Sequence, residues 1–460
     1  MAMVSASGST IEEAEAFLAA HPEIVAFDLV LIDVHGIARG KIVRRHELLP
    51  IYTQGRHLPG SILGLDVFGE DVEATGLVWL DGDADRRAWP VPGSLKPLPW
   101  TDPPRGEVQL SLFELDGRPM TADPRHALAA QVAAANAAGF TPVMAFELEF
   151  YLLDRAEGAA RDAGPLPLTG ERPMATQVYG LDALDRLEPF TAEVWRAADA
   201  MSLPLETLIS EYARGQYEFT LHHRADALAA ADDLSRAKRV LRAIAARHGL
   251  TACFMAKPFA DRAGSGMHCH ASLAGADGAN LFADPAEGGL SPLLRHAIGG
   301  LLGRVEDSML VFAPHLNSWR RFAAESYAPT GATWGVNNRS VTVRVPEGPG
   351  VARHLEQRMA GIDANPHLVA AVTIAAMLEG ITDMVDPGAP VTGNGYAGAS
   401  SERLPDDWRV AIERAVGSEF LARALGPRLR DVFVALKRAE WRRFAAEITP
   451  LERIAYGETV

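Results

Sequence analysis

The stretch Phe-Glu-Leu-Glu-Phe-Tyr at residues 146–151 alternates large apolar and acidic residues within a short hydrophobic run. This alternation predicts a β-strand, in which successive side chains point to opposite faces of a sheet. The apolar residues then share one face, and Glu147 and Glu149 share the other. Two neighbouring carboxylates on a buried strand repel each other and lose hydration unless a positive group lies close to them. A divalent cation with oxygen ligands would supply that charge, whereas an edge strand with a solvated polar face is the alternative.

Several other predicted strands carry ionisable residues on one face. The residues concerned are Glu211 and Glu218 on either side of Gly215, the pair His268 and His270, Arg344 among valines, and the series His354, Glu356 and Arg358. Ionisable residues are rarely placed on buried strands without a partner. Five strands with this feature predict a closed or strongly curved sheet around a charged cavity.

The residue types in this cavity indicate a metal-assisted reaction. Several glutamates and one or two histidines offer mostly oxygen ligands, which suits Mg²⁺ or Mn²⁺ better than structural Zn²⁺. Four arginines would add groups suited to phosphate and carboxylate, namely Arg321, Arg339, Arg344 and Arg358. Metal ions combined with arginines are typical of phosphoryl transfer. The sequence has no P-loop motif, and Gly264-Ser265-Gly266 taken alone predicts no more than a tight turn.

The composition excludes several classes of protein. A chain of 460 residues with a formal net charge of −15 is expected to form two or more domains and not to bind nucleic acid. Cys253 and Cys269 are the only cysteines, so a disulfide framework is not expected. We also expect no signal peptide and no membrane span, and therefore a cytoplasmic protein.

Helix and strand signals divide the chain into two predicted domains, at residues 1–105 and 106–460, with prolines at 97, 99, 103 and 104 marking the boundary. Helices are predicted at 10–21, 123–139, 189–201, 226–248 and 292–312, and through most of the chain after residue 365. Further strands are predicted at 24–33, 37–44, 76–80, 205–209, 216–222, 251–257, 340–345 and 354–359. Residues 155–175 and 387–405 are predicted loops.

Taken together, these motifs resemble the glutamine synthetase superfamily. The matching stretches are residues 146–150, 211–218, 257–258, 264–270, 317–321, 338–344 and 364–366, in this order. The resemblance implies an α+β fold, with an N-terminal β-grasp domain and a large catalytic domain. In that catalytic domain, a curved antiparallel sheet forms the active-site funnel, flanked by helices. It also implies a homo-oligomer, a double-ring dodecamer with active sites between neighbouring subunits.

The resemblance further assigns roles to residues by position. Three residues would bind the metal that orients the acyl substrate, namely Glu149, Glu211 and Glu218. Three others would bind the metal on the ATP phosphates, namely Glu147, His268 and Glu356. The residues expected near ATP are Glu206, His270, Ser272, Arg339 and Arg344. Gly264, Arg321 and Arg358 would hold L-glutamate, and the catalytic group would comprise Arg321, Arg339 and Arg358. Two or three Mg²⁺ or Mn²⁺ ions are expected per site.

The implied reaction activates the γ-carboxylate of glutamate with ATP, because a carboxylate offers an amine only a very poor leaving group. ATP would convert it to γ-glutamyl phosphate, with the charge on the phosphoryl group neutralised by metals and arginines. An amine would then displace phosphate and form an amide.

Two departures from the family concern the amine. Ammonia-using members carry an acid six residues after the arginine that corresponds to Arg321, but this sequence has Tyr327. They also carry an acid where this sequence has Leu58, three residues before Ser61. Both acids help to bind ammonium, whereas an aromatic and an aliphatic residue favour a pocket for a carbon-bearing amine. The resemblance is therefore to the branch that makes γ-glutamyl amides of monoamines or polyamines.

Three alternatives remain at this stage. Glu325 or Asp66 could replace the missing acids, which would leave an ammonia-using glutamine synthetase. A non-catalytic scaffold is disfavoured, because it would not preserve costly buried acids. A phosphotransferase for another acceptor is disfavoured by Arg321, Arg358 and the complete N-terminal domain. Tyr396 is interpreted as an ordinary loop tyrosine.

Overall fold

A computed structural model of the chain describes residues 5–155, 162–284, 289–397, 404–405 and 407–460. The strands are β1 Ala26–Ile32, β2 Ala38–Arg44, β3 Arg56–Pro59, β4 Asp85–Pro90, β5 Lys96–Leu98, β6 Arg105–Phe113, β7 Thr141–Asp154, β8 Leu205–Ser210, β9 Gln216–Leu221, β10 Leu250–Cys253, β11 Cys269–Ala274, β12 Trp334–Val336, β13 Val343–Val345 and β14 Leu355–Gln357. The helices are α1 Ile11–Ala20, α2 Leu48–Gln54, α3 Pro124–Ala137, α4 Leu181–Asp185, α5 Glu188–Met201, α6 Ala227–Arg247, α7 Pro292–Phe312, α8 Leu316–Trp319, α9 Pro366–Thr382, α10 Trp408–Gly417, α11 Glu419–Leu425, α12 Pro427–Ala445 and α13 Pro450–Tyr456.

The N-terminal sheet has the strand order β2-β1-β6-β4-β3, and β5 pairs with β6. The β1–β6 pair is parallel, and the other pairs are antiparallel. The strand predicted at residues 76–80 is wrong: a 3-10 turn at 73–75 and the positive φ of Gly76 take the chain out of extended geometry. Because β6 starts at Arg105 and lies in the middle of this sheet, we propose that the N-terminal unit extends through Phe113.

The second sheet has the order β12-β13-β14-β11-β7-β9-β8, with β10 paired to β7. It is antiparallel except for the parallel β12–β13 pair. Several strands are shorter than predicted. Residues 340–342 and 358–359, for example, lie outside β13 and β14, although Arg358 N–H still donates to Thr342 O at 3.0 Å. Pairing across the sheet, which local sequence does not show, decides where these strands end.

The helices cover the apolar face of the second sheet. Phe146, Leu148 and Phe150 on β7 are at most 1% exposed and belong to one core cluster with residues of α6, α7 and α9. Helices α7 and α9 approach so closely that a Cβ on Gly300 would lie 2.0 Å from the Ala376 carbonyl oxygen. Among the described residues, no helix has both the length and the apolar character needed to cross a bilayer.

Candidate active site

The polar face of β7 carries the acids that the sequence placed there. Glu147 and Glu149 are partly buried, and they alternate with the buried apolar residues of the same strand. In the antiparallel pairing of β7 with β9, Glu149 lies opposite Glu218, which is 6% exposed. Carboxylates from two strands therefore face the same side of the sheet.

Two histidines lie directly against Glu147. His268 Nδ1 is 2.6 Å from Glu147 Oε2, and His270 Nε2 is 3.0 Å from Glu147 Oε1. Burial tends to raise the pKa of Glu147, but His270 and then His268 hold this pKa well below its ordinary value. Burial tends to lower the pKa of His270, but the charge of Glu147 raises it. The protonation of Glu147 therefore depends on both histidines, and that of His270 depends on Glu147.

Glu356 is completely buried at the base of this group. Arg344 Nη1 donates to its Oε2 at 2.6 Å, Arg358 donates to its Oε1, and His268 Nδ1 lies 3.5 Å from Oε1. Burial opposes ionisation, but Arg358 and then His270 lower the pKa of Glu356 to about 2. Glu356 is therefore an anion that holds two arginines in fixed positions.

The ligand atoms of these residues fit a divalent cation. Two groups have their atoms within 4.8 Å of one another: Glu147, His270 and Glu356, and Glu147, Glu218 and His268. The resemblance had placed Glu147, His268 and Glu356 together and His270 near ATP. In the structure, His268 Nδ1 lies close to both Glu147 and Glu356, and His270 contacts Glu147 as well, because β11 pairs with β7 on one side and β14 on the other.

The remaining acids show why a cation is needed. Burial, followed by the charges of Glu147 and Glu149, raises the pKa of Glu218 well above its ordinary value. Burial and then Glu149 raise the pKa of Glu211 to about 7, although Arg339 lowers it. Crowded carboxylates of this kind suit a divalent cation that prefers oxygen ligands.

Arg321 is held beside a glycine-rich loop. Its guanidinium is buried and donates to Met359 O at 2.9 Å and to Arg358 O at 3.2 Å. A Cβ on Gly264 would lie 2.8 Å from Arg321 Cγ, so a larger residue would displace the arginine. The loop also donates Gly266 N–H to Glu149 Oε2 at 2.7 Å. Gly264 and Arg321 are thus next to each other, and their role in holding glutamate stays a prediction.

Sequence reasoning missed Gln216, a buried residue at the start of β9. Its Nε2 donates to Gly264 O at 2.9 Å and so ties the glycine loop to the strand that carries Glu218. A signal was present, because Gln216 and Glu218 are two residues apart on one strand and therefore share a face.

A cavity of about 600 Å³ lies beside the metal-ligand group. Three residues expected near ATP line it: Glu206, His270 and Ser272. Apolar parts of Val143, Ala145, Phe146, Leu221 and Ala271 complete much of the wall, together with His222, His223 and His354. Of the other two residues expected near ATP, Arg344 donates a hydrogen bond to Glu356. Arg339 is exposed, and its charge tends to lower the pKa of Glu211.

The residues expected to bind the amine do not all lie together. Tyr327 is 48% exposed, and its ring centroid is 5.2 Å from that of Tyr212. Leu58 is 1% exposed in the core of the N-terminal unit, and Ser61, 6% exposed, lies in a 3-10 turn there. Neither lines the cavity, and their role in amine binding stays a prediction. Tyr396 lies in a turn, and its Oη donates to Ala328 O at 3.1 Å beside Tyr327.

Comparison with known proteins gives consistent matches. The family model of the glutamine synthetase catalytic domain matches residues 121–456. Gamma-glutamylputrescine synthetase PuuA of Escherichia coli (strain K12) is 36% identical over 96% of this chain and 93% of its own length. Glutamate–isopropylamine ligase of a Pseudomonas species is 31% identical over 84% of each chain. A solved structure of a GmaS/ADP complex has a TM-score of 0.82 and 31% identity, and the match covers 96% of this chain and 99% of that one.

Proposed function

The chain belongs to the glutamine synthetase family, and we propose that it joins an organic amine to the γ-carboxylate of L-glutamate, with ATP as the phosphoryl donor. One observation carries this proposal. Three acids and two histidines come together with Arg344 and Arg358, while Tyr327 stands exposed where an ammonium-binding acid is expected. Relatives named for putrescine and isopropylamine support the same conclusion.

The cavity beside the cluster is the proposed ATP site. Its apolar wall suits a nucleotide base, and Glu206, His270 and Ser272 supply polar contacts. Glu149, Glu211 and Glu218 would hold one divalent cation, and Glu147, His268, His270 and Glu356 a second. Such cations neutralise charge on the transferring phosphoryl group.

Fixed arginines would orient the carboxylate of glutamate. Arg358 is held by Glu356, and Arg321 by two backbone carbonyls, so both guanidinium groups are positioned before substrate arrives. The γ-carboxylate oxygen would attack the γ-phosphorus of ATP, and ADP would leave. The amine nitrogen would then attack the acyl carbon and lose a proton, and phosphate would leave with the oxygen that was phosphorylated.

The proposal includes a homo-oligomer, a double ring with sites between neighbouring subunits. Large apolar side chains are exposed both on the N-terminal unit, at Ile42, Trp79 and Leu80, and on α13, at Leu451 and Ile454. Exposed apolar groups at several places on one chain favour burial against other copies. Light scattering should give a mass near twelve times the 49.4 kDa chain, and a monomer would contradict this part of the proposal.

The test of the proposed reaction is ADP release with ATP, Mg²⁺ and L-glutamate. The acceptors, each tested separately, are ammonium, methylamine, isopropylamine, ethanolamine, aniline, putrescine and spermidine. We expect fast turnover with an organic amine and little with ammonium. Fastest turnover with ammonium would instead identify a glutamine synthetase. Glu147→Gln should stop turnover with every acceptor, whereas Glu325→Gln, at an exposed acid, should not.

A further inference from the structure

Two buried side chains hold the loop that carries Gly264. Tyr151 and Gln216 lie opposite each other in the pairing of β7 with β9, two residues beyond the paired acids of the proposed metal site and on the same face of the sheet. Tyr151 Oη donates to Ala263 O at 2.7 Å, and Gln216 Nε2 donates to Gly264 O at 2.9 Å. Both residues are at most 1% exposed, and buried donors of this kind need an acceptor in the protein.

The two bonds fix the orientation of consecutive peptide units. In the unit that follows Gly264, the carbonyl accepts the bond from Gln216, and the N–H donates to Ala256 O at 2.8 Å. In the unit that precedes Gly264, the carbonyl of Ala263 accepts the bond from Tyr151. Because C=O and N–H point in opposite directions in a trans peptide, the Gly264 N–H is directed away from Tyr151. None of the described residues accepts a hydrogen bond from this N–H, which leaves it available to a ligand.

Gly264 lies beside the stem of Arg321. A Cβ on Gly264 would be 2.8 Å from Arg321 Cγ and 3.3 Å from its Cδ. Gly264 is partly exposed, whereas Arg321 is 5% exposed and is held by two backbone carbonyls. Guanidinium groups and backbone N–H groups both form strong hydrogen bonds with carboxylates. A substrate carboxylate that reaches Arg321 would therefore find a second donor at Gly264.

The rest of the loop has anchors of its own. Asn317 Oδ1 accepts the Lys257 N–H at 2.9 Å, and Asn317 Nδ2 donates to Lys257 O at 2.8 Å. At the other end of the loop, Gly266 N–H donates to Glu149 Oε2 at 2.7 Å. Loss of the tyrosine or the glutamine bond would therefore change the orientation of Gly264 without releasing the loop.

We propose that Tyr151 and Gln216 are positioning residues for L-glutamate, which they do not touch. By fixing the peptide units on either side of Gly264, they present its N–H to the carboxylate that Arg321 binds. This inference rests on the proposed amide-forming reaction and adds two residues to its glutamate site. Neither residue lines the cavity proposed for ATP, so their effect should be confined to glutamate.

The test measures ADP release by the wild type, Tyr151→Phe and Gln216→Met at a saturating concentration of the best acceptor. Tyr151→Phe removes only the hydroxyl, and Gln216→Met keeps the length of the side chain without its donor. Each variant should raise KM for glutamate about three- to tenfold, the range of one hydrogen bond, with kcat within about twofold and KM for ATP unchanged. Tyr217→Phe, at a buried tyrosine on the opposite face of β9, is the matched control and should keep the wild-type KM.

A second measurement separates the loop from the metal site. The rise in melting temperature with Mg²⁺ should be the same in both variants and the wild type, because Glu149 and Glu218 keep their places in the sheet. A smaller rise together with a higher KM for glutamate would mean that the variants act through the cation, and it would overturn the inference.

Other results would refute one proposal or the other. A wild-type KM for glutamate in both variants would overturn the inference and leave the amide-forming reaction standing, and so would equal rises in KM for glutamate and for ATP. Turnover with ammonium alone would overturn the proposed function, whereas KM for glutamate in that reaction would still test the two residues. If Gln216→Met fails to fold, Tyr151→Phe, which loses one oxygen atom, decides the outcome.

Discussion

Replacing Glu211 with glutamine should stabilise the metal-free protein at pH 8. Burial and the charge of Glu149 raise the pKa of Glu211 to about 7, so its ionised form is unfavourable in the folded state. A carboxyl group whose folded pKa is raised destabilises the folded protein once the pH exceeds the unfolded value. This destabilisation grows between pH 4.5 and about 7 and is constant above that. Because glutamine carries no charge, the substitution removes this destabilisation.

The magnitude follows from the same values. At roughly 1.36 kcal/mol per pKa unit, the rise from 4.5 to about 7 corresponds to ~3 kcal/mol. Solvent screening of a partly exposed side chain reduces the expected gain to about 1 to 2 kcal/mol at pH 8. The gain should decline as the pH falls toward 4.5, where the wild-type carboxyl group is increasingly protonated in both states.

The assay is unfolding in a chelating buffer, at pH 8 and at pH 5, of the wild type, Glu211→Gln and the exposed control Glu325→Gln. We expect a higher melting temperature for Glu211→Gln at pH 8 and a smaller difference at pH 5. Saturating Mg²⁺ should reverse the order, because the wild type gains more from the cation. A metal-free Glu211→Gln protein that melts below the wild type at pH 8 would refute the reasoning, and so would an equal gain at both pH values.

Three further predictions concern single residues. Lys437→Met should lower the free energy of unfolding by about 2 to 3 kcal/mol, because buried Glu440 loses its cationic partner at 3.0 Å and keeps only His315 at 2.7 Å; an unchanged denaturation midpoint would contradict this. Gly300→Ala should lower the melting temperature, since its Cβ would lie 2.0 Å from Ala376 O; a variant as stable as wild type would show that α7 and α9 separate easily. Glu147→Gln should reduce the rise in melting temperature with Mg²⁺, because Glu147 belongs to both groups of closely placed ligand atoms while the cation proposed at Glu149, Glu211 and Glu218 is retained; an unchanged rise would show that Glu147 holds no cation.

Local sequence was sufficient for much of the fold. The alternation at residues 146–151 predicted which side of β7 faces the core, because side-chain direction in a strand has a period of two. Asp123-Pro124 predicted the start of α3, where the Asp123 side chain accepts the Arg125 N–H. These signals lie within a few residues, so no knowledge of distant contacts was needed. The boundaries of β10, β13 and β14 were less accurate, because a strand ends where its partner stops pairing.

The chemical character of the site was also visible in the sequence, since acids, histidines and arginines on strand positions indicate a buried charged cavity. Local sequence did not show how these residues group in space. His270 joins Glu147 and Glu356 because three strands pair in a particular register. The rings of Tyr212 and Tyr327 meet although the two residues are far apart in the chain. Residue types and local periodicity are properties of short segments, whereas proximity and pKa depend on long-range pairing and burial, which arise only when the sheet and its covering helices assemble.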